Sequence, residues 1–298
     1  MTADCTACGE CEAVCPVETS DPFNYGMKSR KAIKLPHELA YPARFHLDDG
    51  ACDRLSCKKC VDACLYNAIN LGAGPVAREI KVSSVVFSTG WRPYEPENLT
   101  GFSWGESPDI LSNVLMERLG APNGPTGGKI NKPSDQQPAR KIAFVQCAGS
   151  RDENHLPYCS AVCCSASLKQ ALYFTRQDKE YLADIYYIDL RVTGRNEDFL
   201  KKVEEQKQIR LIKGKVIGVG LEKGRPVIEA EDILSAQKIR ADYDLVVLAT
   251  GIVPEIPALQ GLERDPDGFI NKEGLEPGFL AGGCCREPRD VASSVRES

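Results

Sequence analysis

Short apolar runs that close on small residues and glycine punctuate this chain. Ser84-Val85-Val86-Phe87-Ser88-Thr89-Gly90 is one, and Asp244-Leu245-Val246-Val247-Leu248-Ala249-Thr250-Gly251 is a second. Phe279-Leu280-Ala281-Gly282-Gly283 is a third. Uninterrupted runs of this length predict strands buried on both faces. The glycine at the end lets a backbone come close to a ligand. Between the first two runs the pattern alternates strand and helix. A strand is predicted at 141–146, a helix at about 161–177, a strand at 183–190 and a helix at 197–208. Strands at 209–217 and 226–230 read as a small antiparallel excursion before 244–249 returns to the sheet. That order is the order of a doubly wound α/β domain. Residues 92–140 carry little periodicity and read as loop.

The glycine fingerprint that such a domain uses for a dinucleotide is missing. After the strand at 141–146 the chain reads Cys147-Ala148-Gly149-Ser150-Arg151-Asp152, with no G-x-G-x-x-G. Gly218-Val219-Gly220 lies inside a predicted strand and has Lys223 at the last glycine position. Asn123–Lys129 resembles a phosphate loop only until Ile130, where Ser or Thr is required. The 141–251 domain is therefore not expected to bind NAD or NADP.

Composition narrows the picture. The chain has 298 residues and a net charge of -5, which is enough for two or three domains. No Lys/Arg run suggests a nucleic-acid surface. No stretch reaches eighteen uncharged apolar residues, so any link to a membrane is expected to pass through partner subunits. Met1-Thr2-Ala3-Asp4 is no signal peptide, and the expected location is a reducing cytoplasm.

Cysteine changes the picture most. Twelve of the fourteen cysteines form three sets of four. The first is Cys5-x2-Cys8-x2-Cys11-x3-Cys15-Pro16, and the second is Cys52-x4-Cys57-x2-Cys60-x3-Cys64. A zinc ribbon uses two x2 pairs, not a triplet followed by x3. The spacing is that of bacterial ferredoxins, in which the fourth cysteine of each run serves the other cluster. Residues 1–80 are thus expected to be a lobe with two [4Fe–4S] clusters. Cys5, Cys8, Cys11 and Cys64 would hold one, and Cys52, Cys57, Cys60 and Cys15 the other.

The third set is Cys147-x11-Cys159-x3-Cys163-Cys164. It stands where a pyrophosphate turn would stand, at a strand's C-terminal end and a helix N-terminus. Cys159 and Cys163, four apart, are expected to share a helical face. Spacing alone leaves a third cluster, a redox disulfide and buried apolar thiols all open. Cys284 and Cys285 follow Gly282-Gly283 and read as small residues lining a cofactor pocket.

Phe144-Val-Gln-Cys-Ala-Gly-Ser-Arg-Asp-Glu-Asn-His, with Tyr158-Cys-Ser-x2-Cys-Cys, resembles the A-type flavoprotein of heterodisulfide reductase and its relatives. Cys5-Thr-Ala-Cys-Gly-Glu-Cys, Phe23-Asn-Tyr-Gly, Leu35-Pro-His and Ala121-Pro-Asn-Gly-Pro-Thr resemble the A-type flavoprotein of the quinone-interacting membrane-bound oxidoreductase (Qmo) branch. The resemblance covers essentially the whole chain. It implies a thioredoxin-reductase-like two-domain flavoprotein fold, here incomplete, with an inserted ferredoxin-like lobe. Residues 81–140 and 252–298 would be the remnant of the FAD domain, and 141–251 the nicotinamide-domain-like unit.

The resemblance also implies FAD, and a third [4Fe–4S] cluster on Cys147, Cys159, Cys163 and Cys164. Thr89, Gly90, Thr250, Gly251, Gly282, Gly283, Cys284 and Asp290 are the expected flavin contacts, lying on one side of a common groove. The implied function is electron transfer between a membrane quinone pool and adenylylsulfate reductase in sulfur metabolism, through other subunits of a membrane-bound complex. The alternatives are the bifurcating flavoprotein of a soluble heterodisulfide reductase and a non-catalytic Fe–S relay. Family members open with an FAD-binding βαβ before the cysteine lobe, whereas Met1 here opens almost on Cys5. The expectation is an N-terminally truncated piece whose flavin groove is half-built, with its phosphate end open.

Overall fold

The computed structural model describes every residue except Leu55, Pro75, Thr193, Gln260 and Ser298, and every side chain among the rest except those of Arg195 and Lys272. The chain divides into two compact units, Met1–Lys81 and Val82–Ser298.

The first unit is built on its cysteine runs. Two one-turn helices, α1 (Glu10–Ala13) and α2 (Lys59–Asp62), each carry the third cysteine of a run. Those cysteines, Cys11 and Cys60, are buried with Ile33 and Phe45 in a small core completed by Leu35, Leu47, Ile69 and Leu71. Such a core is thin. Below roughly 70–80 residues a hydrophobic core alone rarely stabilises a fold, and metal or disulfides are the usual supplement. Between the runs, β1 (Glu18–Ser20) pairs antiparallel with β2 (Ser29–Lys31), and β3 (Ile33–Lys34) with β4 (His46–Leu47). Arg30 bridges Asp21 at 3.3 Å and Asp48 at 3.7 Å, tying the two hairpins together.

The second unit centres on a seven-stranded sheet. Its strands are β7 (Ile110–Ser112), β8 (Lys141–Ala148), β9 (Leu182–Tyr187), β10 (Ile209–Glu222), β11 (Arg225–Asp232), β12 (Gln237–Asp242) and β13 (Leu245–Thr250). Their spatial order is β12-β11-β10-β9-β8-β13-β7. From β7 to the first half of β10 all pairings are parallel. The second half of β10 leaves β9 and pairs antiparallel with β11. Gly214 marks the change: a Cβ there would sit 2.1 Å from the Glu231 carbonyl oxygen. β13 is buried along its whole length, as an uninterrupted apolar run requires at the centre of a parallel sheet.

Helices α3 (Asn113–Gly120), α4 (Cys163–Thr175) and α5 (Glu197–Glu204) accompany this sheet, and α4 packs on β8, β9 and β13. Two elements come from the stretch read as loop. β7 and α3 lie within 81–140, yet β7 pairs with β13 through Ile110↔Val246. That stretch is therefore shared between the large sheet and the smaller elements. The smaller elements are two two-stranded pairings. β5 (Val85–Phe87) runs parallel to β15 (Phe279–Ala281), and β6 (Trp91–Pro93) antiparallel to β14 (Ile252–Pro254). A last helix, α6 (Val291–Glu297), follows. Among the described residues no helix is long and apolar enough to cross a membrane.

Candidate functional site

All fourteen cysteines are free thiols, so the third set holds no disulfide. In the first unit they fall into two groups that cross the sequence runs. Cys5, Cys8 and Cys11 line one apolar cavity with Cys64, closed by Phe45 and Tyr66. Burial pushes the Cys11 thiol up to about 11; the thiols of Cys5 and Cys8 act the same way, and backbone N–H groups of Glu12 and Cys11 oppose it. The Cys64 sulfur accepts from the Ala68 N–H at 3.4 Å. Cys15 belongs to the other group. Burial raises the Cys52 and Cys60 thiols, and both feel Cys15 and Cys57 as repelling neighbours. Among the described residues no three Cys, His, Asp or Glu close on a single-ion site.

The third set gathers at the C-terminal end of β8. Cys147, the strand's penultimate residue, has φ 56, in the left-handed region that non-glycine residues seldom occupy. Gly149 (φ 84) and Arg151 (φ 58) continue the irregular turn. The following excursion is pinned by Leu156 N–H to Gly149 O at 3.0 Å and Arg151 N–H to Tyr158 O at 3.0 Å. It returns Cys159 to the same place.

Cys163 and Cys164 form the first turn of α4. Cys159 does not share that helix's face as expected: Ala161 (φ 62) breaks the backbone before the helix begins. Cys159 instead accepts from the Ala161 N–H at 3.4 Å. The Cys163 thiol reaches the Thr250 carbonyl at 3.6 Å. Burial pushes Cys163 up to about 12, with Cys164, Cys147 and Cys159 adding in that order. Burial likewise raises Cys147 and Cys164. Four neighbouring thiols, Cys163 and Cys164 buried and Cys147 and Cys159 half-buried, are a donor set that suits iron, which would neutralise them.

Sequence reading missed the charges beside this set. The charge of Arg151 lowers the Cys147 thiol against the burial. The backbone N–H of Arg191 does the same for Cys164. Asp189 joins the two arginines: it pairs with Arg151 and, at 3.1 Å, with Arg191. The available signal was the position of Asp189 and Arg191, just past β9 and beside the end of β8.

The expected flavin residues are only partly gathered. Gly90, Gly282, Gly283 and Cys284 line a groove of about 540 Å³ with Ser88, Ser294 and Glu297. A Cβ at Gly90 or Gly282 would meet nothing within 4 Å, so both leave room for a guest. Thr89 is exposed beside Gly90. Thr250 and Gly251 do not line the groove. Thr250 is buried, and a Cβ on Gly251 would lie 2.4 Å from both Leu156 Cδ1 and Ser150 Oγ. This strand end instead meets the third cysteine set, the Thr250 carbonyl lying 3.6 Å from the Cys163 sulfur, where the register with β8 slips by one extra β8 residue between Val145 and Ala148.

Asp290 is also off the groove. Its carboxylate accepts the Ser293 N–H at 2.7 Å at the start of α6, and the Ser293 hydroxyl first and this N–H second hold it below the usual carboxylate range. Glu297, unforeseen, accepts the Gly283 N–H at 3.3 Å and is paired with Arg286 and Arg289. Cys285 is fully buried, its thiol donating to the Phe87 carbonyl at 3.3 Å.

Thiols gathered in fours, and in the second unit a parallel-cored sheet and a glycine-lined groove, are the features of a protein organised around redox cofactors. No family model matches the chain. Its relatives among curated proteins are A-type subunits of heterodisulfide reductases. It is 34% identical over 311 residues to an A-type iron–sulfur subunit of the CoB–CoM heterodisulfide reductase of Methanopyrus kandleri, covering 98% of this chain and 47% of that protein. It is 31% identical over 311 residues to the A-type subunit of the H2:CoB–CoM heterodisulfide, ferredoxin reductase of Methanothermobacter thermautotrophicus, covering 99% and 47%. The chain thus spans about half the length of the curated relatives it matches. It is also similar to the thioredoxin reductase of Lactococcus lactis, with 15% identity and a TM-score of 0.47 over 72% of this chain and 62% of that one. Within the resemblance drawn from sequence, these relatives support the heterodisulfide reductase branch; they lend no support to the quinone-interacting branch or to adenylylsulfate reductase as a partner.

Proposed function

We propose that this chain is the electron-conducting portion of a heterodisulfide-reductase-like flavoprotein subunit within a multi-subunit oxidoreductase. In this reading Cys5, Cys8, Cys11 and Cys64 hold one [4Fe–4S] cluster, and Cys15, Cys52, Cys57 and Cys60 a second. Cys147, Cys159, Cys163 and Cys164 hold a third, and FAD lies along Gly90 and Gly282–Cys284. The clusters supply one-electron steps and the flavin exchanges one- and two-electron chemistry. The chain's own residues bury the thiolates, donate backbone N–H groups to their sulfurs at Ala68 and Ala161, and keep water from Cys11, Cys60, Cys163 and Cys164. Glycine at 90 and 282 leaves the groove wall low enough for an isoalloxazine or ribityl edge.

The observation that carries this reading is the crossing in the first unit, where Cys64 joins the first run and Cys15 the second. Zinc ribbons and disulfide frameworks give no reason for it. The test is anaerobic reconstitution with iron counting and EPR. About twelve irons per chain are expected for three cubanes. Cys15→Ser should alter the same EPR signal as Cys57→Ser and leave untouched the one altered by Cys8→Ser. Cys15→Ser and Cys8→Ser acting on one signal would refute the crossing. A Gly282→Val variant should lose flavin while keeping its iron.

The quinone-linked reading, with adenylylsulfate reductase as the electron partner, rests on Leu35-Pro-His and Ala121-Pro-Asn-Gly-Pro-Thr. Reduced chain passing electrons to adenylylsulfate reductase, and not to a heterodisulfide-reducing partner protein, would favour it.

A further inference from the structure

The third cysteine set differs from the other two in what surrounds it. Arg151 lies against Cys147, and Arg191 presents its backbone N–H to Cys164 while its side chain acts on Asp189. Asp189 accepts from both arginines, so two cations share one carboxylate beside the thiols. Arg151 is held there by more than the ion pair. Its backbone is fixed at φ 58 by the bond to Tyr158 O, and Asp152 N–H to Leu156 O at 3.0 Å locks the next residue. A non-glycine residue kept in that region is the kind of local strain that surrounding bonds must over-determine. In the first unit, among the described residues, the groups acting most on Cys11, Cys52 and Cys60 are other thiols, Asp53 and backbone N–H groups.

We infer that Arg151 and Asp189 set, with opposite signs, the reduction potential of a cluster held by Cys147, Cys159, Cys163 and Cys164, making it the most easily reduced of the three. The inference rests on the third cluster of the proposed function. A cubane with four thiolate ligands is an anion, and reduction adds one more negative charge. A guanidinium donating to a ligand sulfur therefore stabilises the reduced form more than the oxidised form, and a nearby carboxylate does the reverse. Net charge and hydrogen bonds to the sulfurs are the levers that tune such clusters. The excess cation at this site and the first turn of α4 act in the same direction. Electrons delivered elsewhere in the chain would then settle here.

The test is an anaerobic redox titration of the iron-loaded chain followed by EPR, with dithionite as reductant. Arg151→Gln should lower the midpoint of the third signal. At a fixed poise its reduced-to-oxidised ratio should fall about tenfold, equivalent to about 59 mV for one electron. Arg151→Lys should recover most of that shift. Asp189→Asn should move the same signal upward, because it removes a negative charge while Arg151 keeps its backbone anchor to Tyr158 O. The two ferredoxin-lobe midpoints should stay in place in all three variants. An unmoved third midpoint in Arg151→Gln, or equal shifts in all three signals, would overturn the inference. If Arg151→Gln fails to load the third cluster, Asp189→Asn decides: no upward shift overturns it. Wild-type chain holding about eight irons rather than about twelve would instead remove the cluster on which the inference rests.

Discussion

The most demanding test of the second unit is a polar chain buried beside its sheet. Asp184 on β9 is almost fully buried, and its carboxylate accepts two bonds from Arg210, its register neighbour on β10, at 2.6 and 2.5 Å. A third comes from the Tyr243 hydroxyl at 2.7 Å, and Tyr243 in turn meets the Tyr186 hydroxyl at 2.7 Å. Tyr186 and Tyr243 are both inaccessible to water.

Tyr243→Phe removes a bond to a charged acceptor, a loss of about 2 kcal/mol given that Asp184 keeps its two arginine bonds. It also strands the Tyr186 hydroxyl, at about 1 kcal/mol more. The sum, about 3 kcal/mol, corresponds to a fall in melting temperature of about 6–12 °C for a unit of this size. Tyr186→Phe alone breaks one neutral pair and leaves Tyr243 satisfied by Asp184, so it should cost about 1 kcal/mol. In the Tyr243→Phe background the same change removes a stranded hydroxyl. There it should cost nothing or restore about 1 kcal/mol. The coupling is then about 1–2 kcal/mol, well above the additivity scatter for residues apart. The assay is thermal unfolding of the four proteins of this cycle, followed by far-UV circular dichroism under anaerobic conditions. Equal costs of Tyr186→Phe in both backgrounds would refute the argument, because they would mean the two hydroxyls do not share one chain of bonds.

Two further outcomes follow from the second unit. NADH titrated into the iron-loaded chain should give no saturable binding by fluorescence, since Cys163 and Cys164 fill the helix start where a pyrophosphate would sit; saturable binding would contradict this. Tyr158, whose hydroxyl donates to the Ile252 carbonyl at 2.9 Å, has its phenol pushed up to about 12 by burial, with Asp267 and Asp265 adding. Its folded value is thus raised above the unfolded value of about 10. The stability it contributes is fully present below pH about 10 and lost as pH rises toward 12. Tyr158→Phe should flatten that part of the alkaline loss, and identical pH profiles for the two proteins would count against it.

What the sequence could say depended on how local each signal was. The ferredoxin runs are legible because their spacing is contained within eleven to thirteen residues, and the crossing follows from the same motif. The strands at 141–148 and 245–250 are legible because burial on both faces demands unbroken apolar runs. β12 escaped notice because it is an edge strand whose residues, Gln237 to Asp242, are mostly exposed and charged. β7 escaped because three residues carry no period, and its partner β13 lies far along the chain. Its following helix did leave a trace: Ser112 caps α3 by accepting the Leu115 N–H at 3.3 Å. The placement of Thr250 and Gly251 in the flavin groove failed for a conformational reason. The extra residue that shifts the β8–β13 register lies on β8, between Val145 and Ala148, and no residue pattern in β13 announces it.

The end of a parallel sheet can accept either of two kinds of anionic guest. In a dinucleotide domain the strand end, the glycine turn and the helix N-terminus converge on a pyrophosphate, because backbone N–H groups and the helix dipole favour an anion there. In the proposed reading the same convergence is kept and a thiolate-held cluster takes the place of the pyrophosphate. The end of β8 and the turn after it keep left-handed residues at Cys147, Gly149 and Arg151, but turn positive groups on sulfur: the charge of Arg151 acts on Cys147, and the Ala161 N–H donates to Cys159. A thiolate cluster, like a pyrophosphate, is an anion that gains from positive ends and N–H groups. Replacing glycines with cysteines therefore needs no new fold, only a longer turn to bring Cys159 back. The eleven residues between Cys147 and Cys159, pinned by the Gly149–Leu156 and Arg151–Tyr158 bonds, are that turn.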